Sequence, residues 1–243
     1  MIHDWIVPDW PAPANVRAFV TTRAGGVSEG AYASMNLGAS SGDDAARVQR
    51  NREIVGEILP GPPAWLAQVH GVDVADLDAA HVDRPRADAA ATSTRDRVCT
   101  VLTADCMPLF LCDARGGRVA VAHAGWRGLA AGVIENAVRA LGAQGANVLA
   151  WMGPTIGPRA FEVGPEVREA FMAKDARADE AFASHKPGKY MADLYALARQ
   201  RLASVGVDKV FGGDFCTYYD TGRFFSYRRE PRSGRMGAFI WIQ

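Results

Sequence analysis

Three residues that bind metals well stand at the ends of apolar runs: His70 in WLAQVHGVDV, Cys106 in TADCMP and His123 in VAVAHAGWRG. Two imidazoles and a thiol make a zinc ligand set of the catalytic kind, in which three protein ligands leave a fourth position open, whereas structural zinc sites close with four. The segment CMPLFLCDARGGRVAVAH reads as two apolar strands joined across residues 113–117, a loop of hairpin length and composition. With the turn centred near Arg115, facing residues carry numbers summing to about 230, so Cys106 and His123 are expected as near neighbours. Directly opposed residues have Cβ atoms roughly 4.5–5.5 Å apart, within reach of one ion. Register is the sensitive point, because a slip of one residue turns a side chain to the other face and Pro108 marks an edge or bulge. A histidine at a strand end is more often a satisfied core residue, and an apolar-flanked cysteine more often inert packing. Spacing alone therefore leaves the metal open beside a rival, Cys106 as a thiolate nucleophile with His123 as its base.

The charged groups nearby suit an anion. Asp105 of TADC is placed to orient a ligand or move a proton beside a metal, or else to cap local N–H groups as a turn carboxylate. Arg127 of GWRG stands where a strand gives way to a helix; glycines there let backbone approach a ligand, and a guanidinium beside a helix N-terminus can share a phosphate or carboxylate. Trp126 is a stacking platform or a core aromatic. Tyr227, Arg228 and Arg229 of FFSYRRE form a second anion-binding element or a solvated charge run.

These side chains require a scaffold of short strands. Residues 119–122 read as a buried strand leading to His123, and 109–112 as its partner, with further strands expected at 64–69, 98–102 and 148–152. Residues 129–141 place Leu129, Val133, Ala137 and Leu141 four apart with Ile134 and Val138 beside them, a helix that Gly142 stops. The same pattern runs over 193–205 through Leu194, Leu197, Leu202 and Val205. Residues 47–59 read as a surface helix with Val48, Ile54, Val55 and Ile58 on its apolar side, and GRMGAFIWIQ as a final buried strand. Strands and helices mix without a βαβ rhythm, which predicts an α+β fold.

The 243 residues are 49% hydrophobic and 22% charged, enough to bury a substantial core. No linker, repeat or low-complexity tract divides them, so one domain over 1–243 is expected. Lys+Arg and Asp+Glu both count 27, and a formal net charge of zero implies no broad basic face for nucleic acid. The N-terminus MIHDWIVPDW lacks a signal-peptide pattern and no stretch reaches the ~18 apolar residues of a membrane span, so a cytoplasmic protein is expected. Cys99, Cys106, Cys112 and Cys216 lack CxxC spacing, against both a disulfide framework and a four-cysteine zinc site.

In their joint order, the runs TTRAGGVS, MNLGASSGD, QVHG, TADCMP, AHAGWRG, GPTIGPRAFEVG, FGGDFCTY and FFSYRR followed by GRM resemble the YfiH family. It is also called the peptidoglycan editing factor or laccase-domain family, and its members act as purine nucleoside phosphorylases. The likeness runs from about residue 6 to 243. It implies a three- or four-layered α+β fold of the YfiH/CNF-like kind, a central β-sandwich of mixed sheets flanked by helices. It also implies a zinc on His70, Cys106 and His123, with Asp105 and Arg127 in catalysis. Arg23 of TTRAGG, Asn36 of MNLG, Gln68 of QVHG and Arg228 of SYRR become the phosphate- and substrate-binding candidates. The implied reactions are phosphorolysis of adenosine, inosine, guanosine and methylthioadenosine, and deamination of adenosine. The implied partners are purine nucleosides and phosphate, for a monomer or small homo-oligomer that binds neither nucleic acid nor membrane.

Three rivals remain. Copper in place of zinc would fit a polyphenol oxidase, as the laccase name suggests, but several coppers need many imidazoles, and five histidines without an HxH pair equip one chain poorly. Amide hydrolysis of a wall precursor by Cys106 is the second. A nucleotide-binding module without turnover is the third.

Overall fold

The computed structural model describes residues 4–79 and 83–243. In chain order its strands are β1 (Val16–Val20), β2 (Pro63–Ala64), β3 (Val74–Asp76), β4 (Ala89–Thr92), β5 (Val98–Thr103), β6 (Met107–Asp113), β7 (Val119–Ala124), β8 (Val148–Met152), β9 (Glu162–Val163), β10 (Phe182–Lys186), β11 (Lys189–Ala192), β12 (Lys209–Gly212) and β13 (Met236–Ile242). The helices are α1 (Ala45–Gly56), α2 (Trp126–Ala131), α3 (Val133–Ala140), α4 (Pro165–Met172) and α5 (Leu194–Ser204). Two mixed sheets dominate, one of four strands in the order β1-β13-β5-β2 and one of six in the order β12-β8-β6-β7-β4-β3, with a small third sheet β10-β11-β9.

The central strands lack polar alternation because both of their faces are covered. In β6, Phe110 and Cys112 point between the two large sheets, where they meet Val101 of β5 and Ile240 of β13. Leu109 and Leu111 point the other way, onto a layer that includes Leu129, Ile134, Phe171 and Leu197 from α2, α3, α4 and α5. On β7 the helix-facing residues are Ala120, Ala122 and Ala124, and these small side chains allow the helices to lie close. The outer face of the four-stranded sheet packs Phe19, Phe239 and Trp241 against Ile54 and Val55 of α1. The result is four layers, helix, sheet, sheet, helices: the α+β sandwich of mixed sheets that the sequence predicts.

The elements differ from expectation where local chemistry competes with pattern. The helix expected at 129–141 starts earlier, at Trp126, and breaks at Gly132, whose φ of 115° no other residue type adopts readily. Of the strand expected at 64–69 only Ala64 is strand, in the two-residue β2 with Pro63. Beyond it, Gln68 takes over the pairing with its side chain: Nε2 donates to the Leu102 carbonyl at 2.9 Å and Oε1 accepts from the Leu102 N–H at 2.8 Å. Strand β4, AAAT, gives almost no sequence signal because alanine is a poor strand former.

Candidate metal centre

Hairpin β6–β7 brings Cys106 and His123 together, though not as an opposed pair. Pro108 pairs with His123 and Met107 with Ala124, so facing residues sum to 231, close to the expected 230 and two away from direct opposition of Cys106 and His123. That even difference keeps the two side chains on one face. Cys106 thus lies just before β6, and continuing the register sets Gly125 beside it. An added Cβ at Gly125 would lie 2.7 Å from Cys106 Sγ and 3.1 Å from His70 Cδ2, so glycine is what leaves room for the two side chains.

The potential ligand atoms of His70, Cys106 and His123 all lie within 4.8 Å of one another. Cys106 Sγ is 3.9 Å from His70 Nε2, and the two imidazoles meet edge to face, 71° between planes. Zinc–nitrogen bonds near 2.0 Å and zinc–sulfur bonds near 2.3 Å, arranged tetrahedrally, would separate such atoms by about 3.3–3.7 Å. Small side-chain adjustments suffice, and the donor set fits.

A fourth residue, absent from the sequence reading, organises the three. Asp88, fully buried just before β4, accepts from His123 Nδ1 at 2.9 Å, which leaves Nε2 of that ring for a metal. Its carboxylate also accepts the backbone N–H groups of Val69, His70 and Gly71 at 3.0, 2.9 and 2.7 Å. Those bonds hold His70 at φ 59°, a left-handed conformation that costs a non-glycine residue about 1–3 kcal/mol. Burial alone would raise the Asp88 pKa; the hydrogen bonds from His123, Val69 and Gly71 outweigh it and hold the carboxyl at about 2. The only sequence trace of Asp88 is a carboxylate at the head of an alanine run, RADAAAT.

The same arrangement acts on the thiol. Burial opposes ionisation of Cys106, but the charge and hydrogen bonds of His123 and His70 prevail and lower its pKa below the ordinary thiol value. Burial likewise disfavours the His123 imidazolium, and Cys106 and Asp88 overcome it to raise that pKa. Cys106 is therefore poised as a thiolate, the form that binds metal.

The triad opens onto a cavity of about 610 Å³, within the range of small-molecule sites. Its lining includes Arg52, Arg84, Arg127, Arg228 and Arg235. Among the described residues, none of these five guanidinium groups forms an ion pair with a carboxylate. Arg127 lies over the Trp126 ring at 4.4 Å in the first turn of α2. Arg228 reaches the Glu162 carbonyl at 2.9 Å, and Arg235 is fixed by the carbonyls of Ser233 and Gly234. Three of the four described non-glycine residues with positive φ, namely His70, Arg84 and Asp105, line this cavity. Strain of this kind gathers at functional sites.

Other candidates fall elsewhere or are already engaged. Asp105 accepts from Thr217 Oγ1 at 2.5 Å and from the Arg228 N–H at 2.7 Å, which makes it a clamp on two distant segments. Gln68 lines the cavity with its amide bonded to Leu102. Asn36 is fully buried outside the lining; it bonds Ser41, Asp43, Gly38 and Arg235 and shapes the 36–43 loop. Arg23 lies outside as well, donating to the carbonyls of Ala33 and Thr221 at a separate surface depression with Arg229 and Arg232. Arg52, Arg84 and Arg235 were not singled out as site residues by sequence: RNRE and DRPR carry no distinguishing pattern, and GRM entered only as part of the family likeness.

Comparison with known proteins gives a consistent likeness. A family model described as multi-copper polyphenol oxidoreductase laccase matches residues 17–243. The chain is 55% identical over 243 residues to the purine nucleoside phosphorylase PA4543 of Pseudomonas aeruginosa, covering 100% of both. It is 54% identical over 239 residues to the purine nucleoside phosphorylase YfiH of Escherichia coli K12, covering 98% of both. Among solved structures, protein NMB0706 of Neisseria meningitidis superposes with a TM-score of 0.95 at 46% identity, covering 99% of each chain. YlmD of Geobacillus stearothermophilus superposes with a TM-score of 0.89 at 29% identity, covering 98% of this chain and 96% of that one.

Proposed function

The chain belongs to the family described as multi-copper polyphenol oxidoreductase laccase, the group of the YfiH-type purine nucleoside phosphorylases, and on that premise we propose that it is a zinc-dependent purine nucleoside phosphorylase that also deaminates adenosine. The observation that carries this reading is the pairing, in one cavity, of a His/Cys/His ligand set with five arginines that lack ion pairs. Phosphorolysis joins a phosphate oxygen to C1′ of the ribose as the C–N bond to the purine breaks, giving free base and ribose 1-phosphate. Arginines without a carboxylate partner hold phosphate against C1′ and stabilise the charge that develops. Arg127 stands in the first turn of α2 after His123, the Arg228 N–H is bonded to Asp105 beside Cys106, and Arg235 lies in the field of Cys106, so these three are assigned to phosphate. Asp105 positions Arg228 through its backbone N–H, and Asp88 aims His123. His70, Cys106 and His123 would hold the zinc, which would supply Lewis-acid chemistry there.

Deamination uses water and not phosphate, so the two reactions separate cleanly. Adenosine incubated with phosphate should give adenine and ribose 1-phosphate; without phosphate only inosine and ammonia should appear. Absence of both products with metal-loaded protein overturns the reading. Copper fits less well, because oxidation at several coppers needs additional imidazoles. His185, on β10, is outside the cavity lining and lies against Glu162 at 3.3 Å. The reading takes residues 1–243 as one catalytic domain working in the cytoplasm.

Amide hydrolysis by Cys106 has one observation in its favour. Cys106, His123 and Asp88 stand in the order nucleophile, base and orienting carboxylate. Metal content decides, since a thiolate committed to zinc is unavailable as a nucleophile.

A further inference from the structure

Among the described residues, five arginines without an ion pair line the cavity, more than a single phosphate requires. Arg127 follows His123 closely in sequence, Arg228 is tied to Asp105, and the Arg235 guanidinium feels the charges of Cys106 and Asp105. Arg52 and Arg84 instead contact the 37–40 loop, at Leu37 and Ser40, a loop that Arg235 also flanks at Gly38. Arg52 extends from α1 and is fixed by Nε and Nη2 donating to the Leu37 carbonyl at 3.0 and 2.9 Å, with its guanidinium 3.9 Å above the Trp65 ring. Among the described residues, Arg84 Nη2 reaches Ser40 Oγ at 3.5 Å, and Arg84 holds a left-handed φ of 49°.

Burial disfavours the charge on Arg52, and the nearby Arg84 guanidinium disfavours it further. Like charges on one cavity wall, one clamped by backbone and ring and the other on strained backbone, are destabilising until an anion joins them. The cavity of about 610 Å³ that Arg52 and Arg84 share with the other three arginines is lined also by Gly38, Ser40 and Ser41. The room and the charge suit a ligand carrying its own phosphate.

We propose that Arg52 and Arg84 form a second oxyanion subsite, distinct from the triad-side arginines, that takes the phosphate group of a nucleoside 5′-monophosphate whose purine and ribose lie toward the triad. The placement of the purine rests on the function proposed above; the oxyanion subsite does not.

Titration of inosine and inosine 5′-monophosphate by calorimetry in phosphate-free buffer tests it, because neither ligand can be deaminated at adenine C6 or phosphorolysed there. The wild-type chain should bind the monophosphate at least about tenfold more tightly than the nucleoside, as charge-assisted contacts allow. Arg84→Gln should bring that ratio close to unity, and Arg84→Lys should keep most of it. Lys174→Gln, which removes a charge from an exposed position, should not change the ratio. Inorganic phosphate is the second probe: if Arg84→Gln leaves the ratio intact but lowers phosphate bound from two per chain to one, the subsite stands with free phosphate as its occupant. A chain that binds no inosine yet loses one phosphate in Arg84→Gln would defeat the nucleoside reading and leave the subsite in place. If neither Arg84→Gln nor Arg52→Gln, both shown folded by thermal melting, alters the ratio or the phosphate count, the proposal is overturned.

Discussion

Cys106 is the residue on which the competing chemistries diverge. As a zinc ligand it should be replaceable by nothing short of another thiolate, since a hydroxyl is a far poorer donor. Cys106→Ser is expected to lose the metal and both reactions together; zinc retained with only an amide hydrolysis lost would favour the nucleophile. Asp88 acts one step removed, through the His123 ring and the backbone of residues 69–71. Outer partners of this kind affect metal affinity by about 10–100-fold, so Asp88→Asn should weaken zinc binding by that factor in a competition titration while His70 and His123 remain present. On the proposed function, Arg127 should separate the two reactions. Removing a charge-assisted phosphate contact costs roughly 1.5–3 kcal/mol, or one to two powers of ten in rate at limiting phosphate. Arg127→Ala should therefore keep its zinc and lose phosphorolysis more than deamination; equal losses would move the phosphate role to Arg228 or Arg235.

Hairpin β6–β7 and the corner after it do most of the positioning. Gly125 is the N-cap of α2 and the neighbour of Cys106, so Gly125→Ala should displace the sulfur by crowding it at 2.7 Å. The measurable outcome is a folded protein with reduced zinc content; full zinc occupancy would mean that the corner shifts to accommodate the methyl. Gly132→Ala forces an L-residue into φ 115° and should destabilise by about 1–2 kcal/mol, read as a lower urea midpoint with zinc content unchanged. These elements also mark how far the sequence could be read. The long apolar runs declared β6, β7, β8 and β13, and the helical recurrence of Leu194, Leu197 and Leu202 declared α5, because nothing local opposed their periodicity. Asp88 and β4 were illegible, since an isolated carboxylate and three alanines resemble many surface loops. His70, Cys106 and His123 could be picked out as donors at strand ends, but spacing left the metal open and the family likeness supplied the ligand set; the fold brings the three together. The arginine wall was not legible, because its members come from α1, the 84 loop, the α2 corner and the 228–235 segment, and only the fold brings them together.

At the scale of the whole molecule, the two mixed sheets form the platform and the site occupies one end of it. His70, Cys106 and His123 arrive from segments far apart in sequence, so a bound ion links the stretch after β2 to both strands of the hairpin. A metal that binds only the folded chain stabilises by about 2.7 kcal/mol at a hundredfold excess over its Kd. For a chain of this length each kcal/mol moves Tm by about 2–4 °C, so chelation should lower Tm by roughly 5–10 °C; an unchanged Tm would mean that the site was empty or decoupled from folding. Among the described residues no helix is long and apolar enough to cross a membrane. The most direct test of the account is metal analysis of the purified protein joined to product detection from adenosine in the same preparation. It predicts about one zinc per chain, adenine and ribose 1-phosphate formed only when phosphate is present, and both the metal and the products lost on chelation. Metal-free protein that retains full activity, or copper-loaded protein that consumes oxygen on a phenol and leaves adenosine untouched, would contradict it.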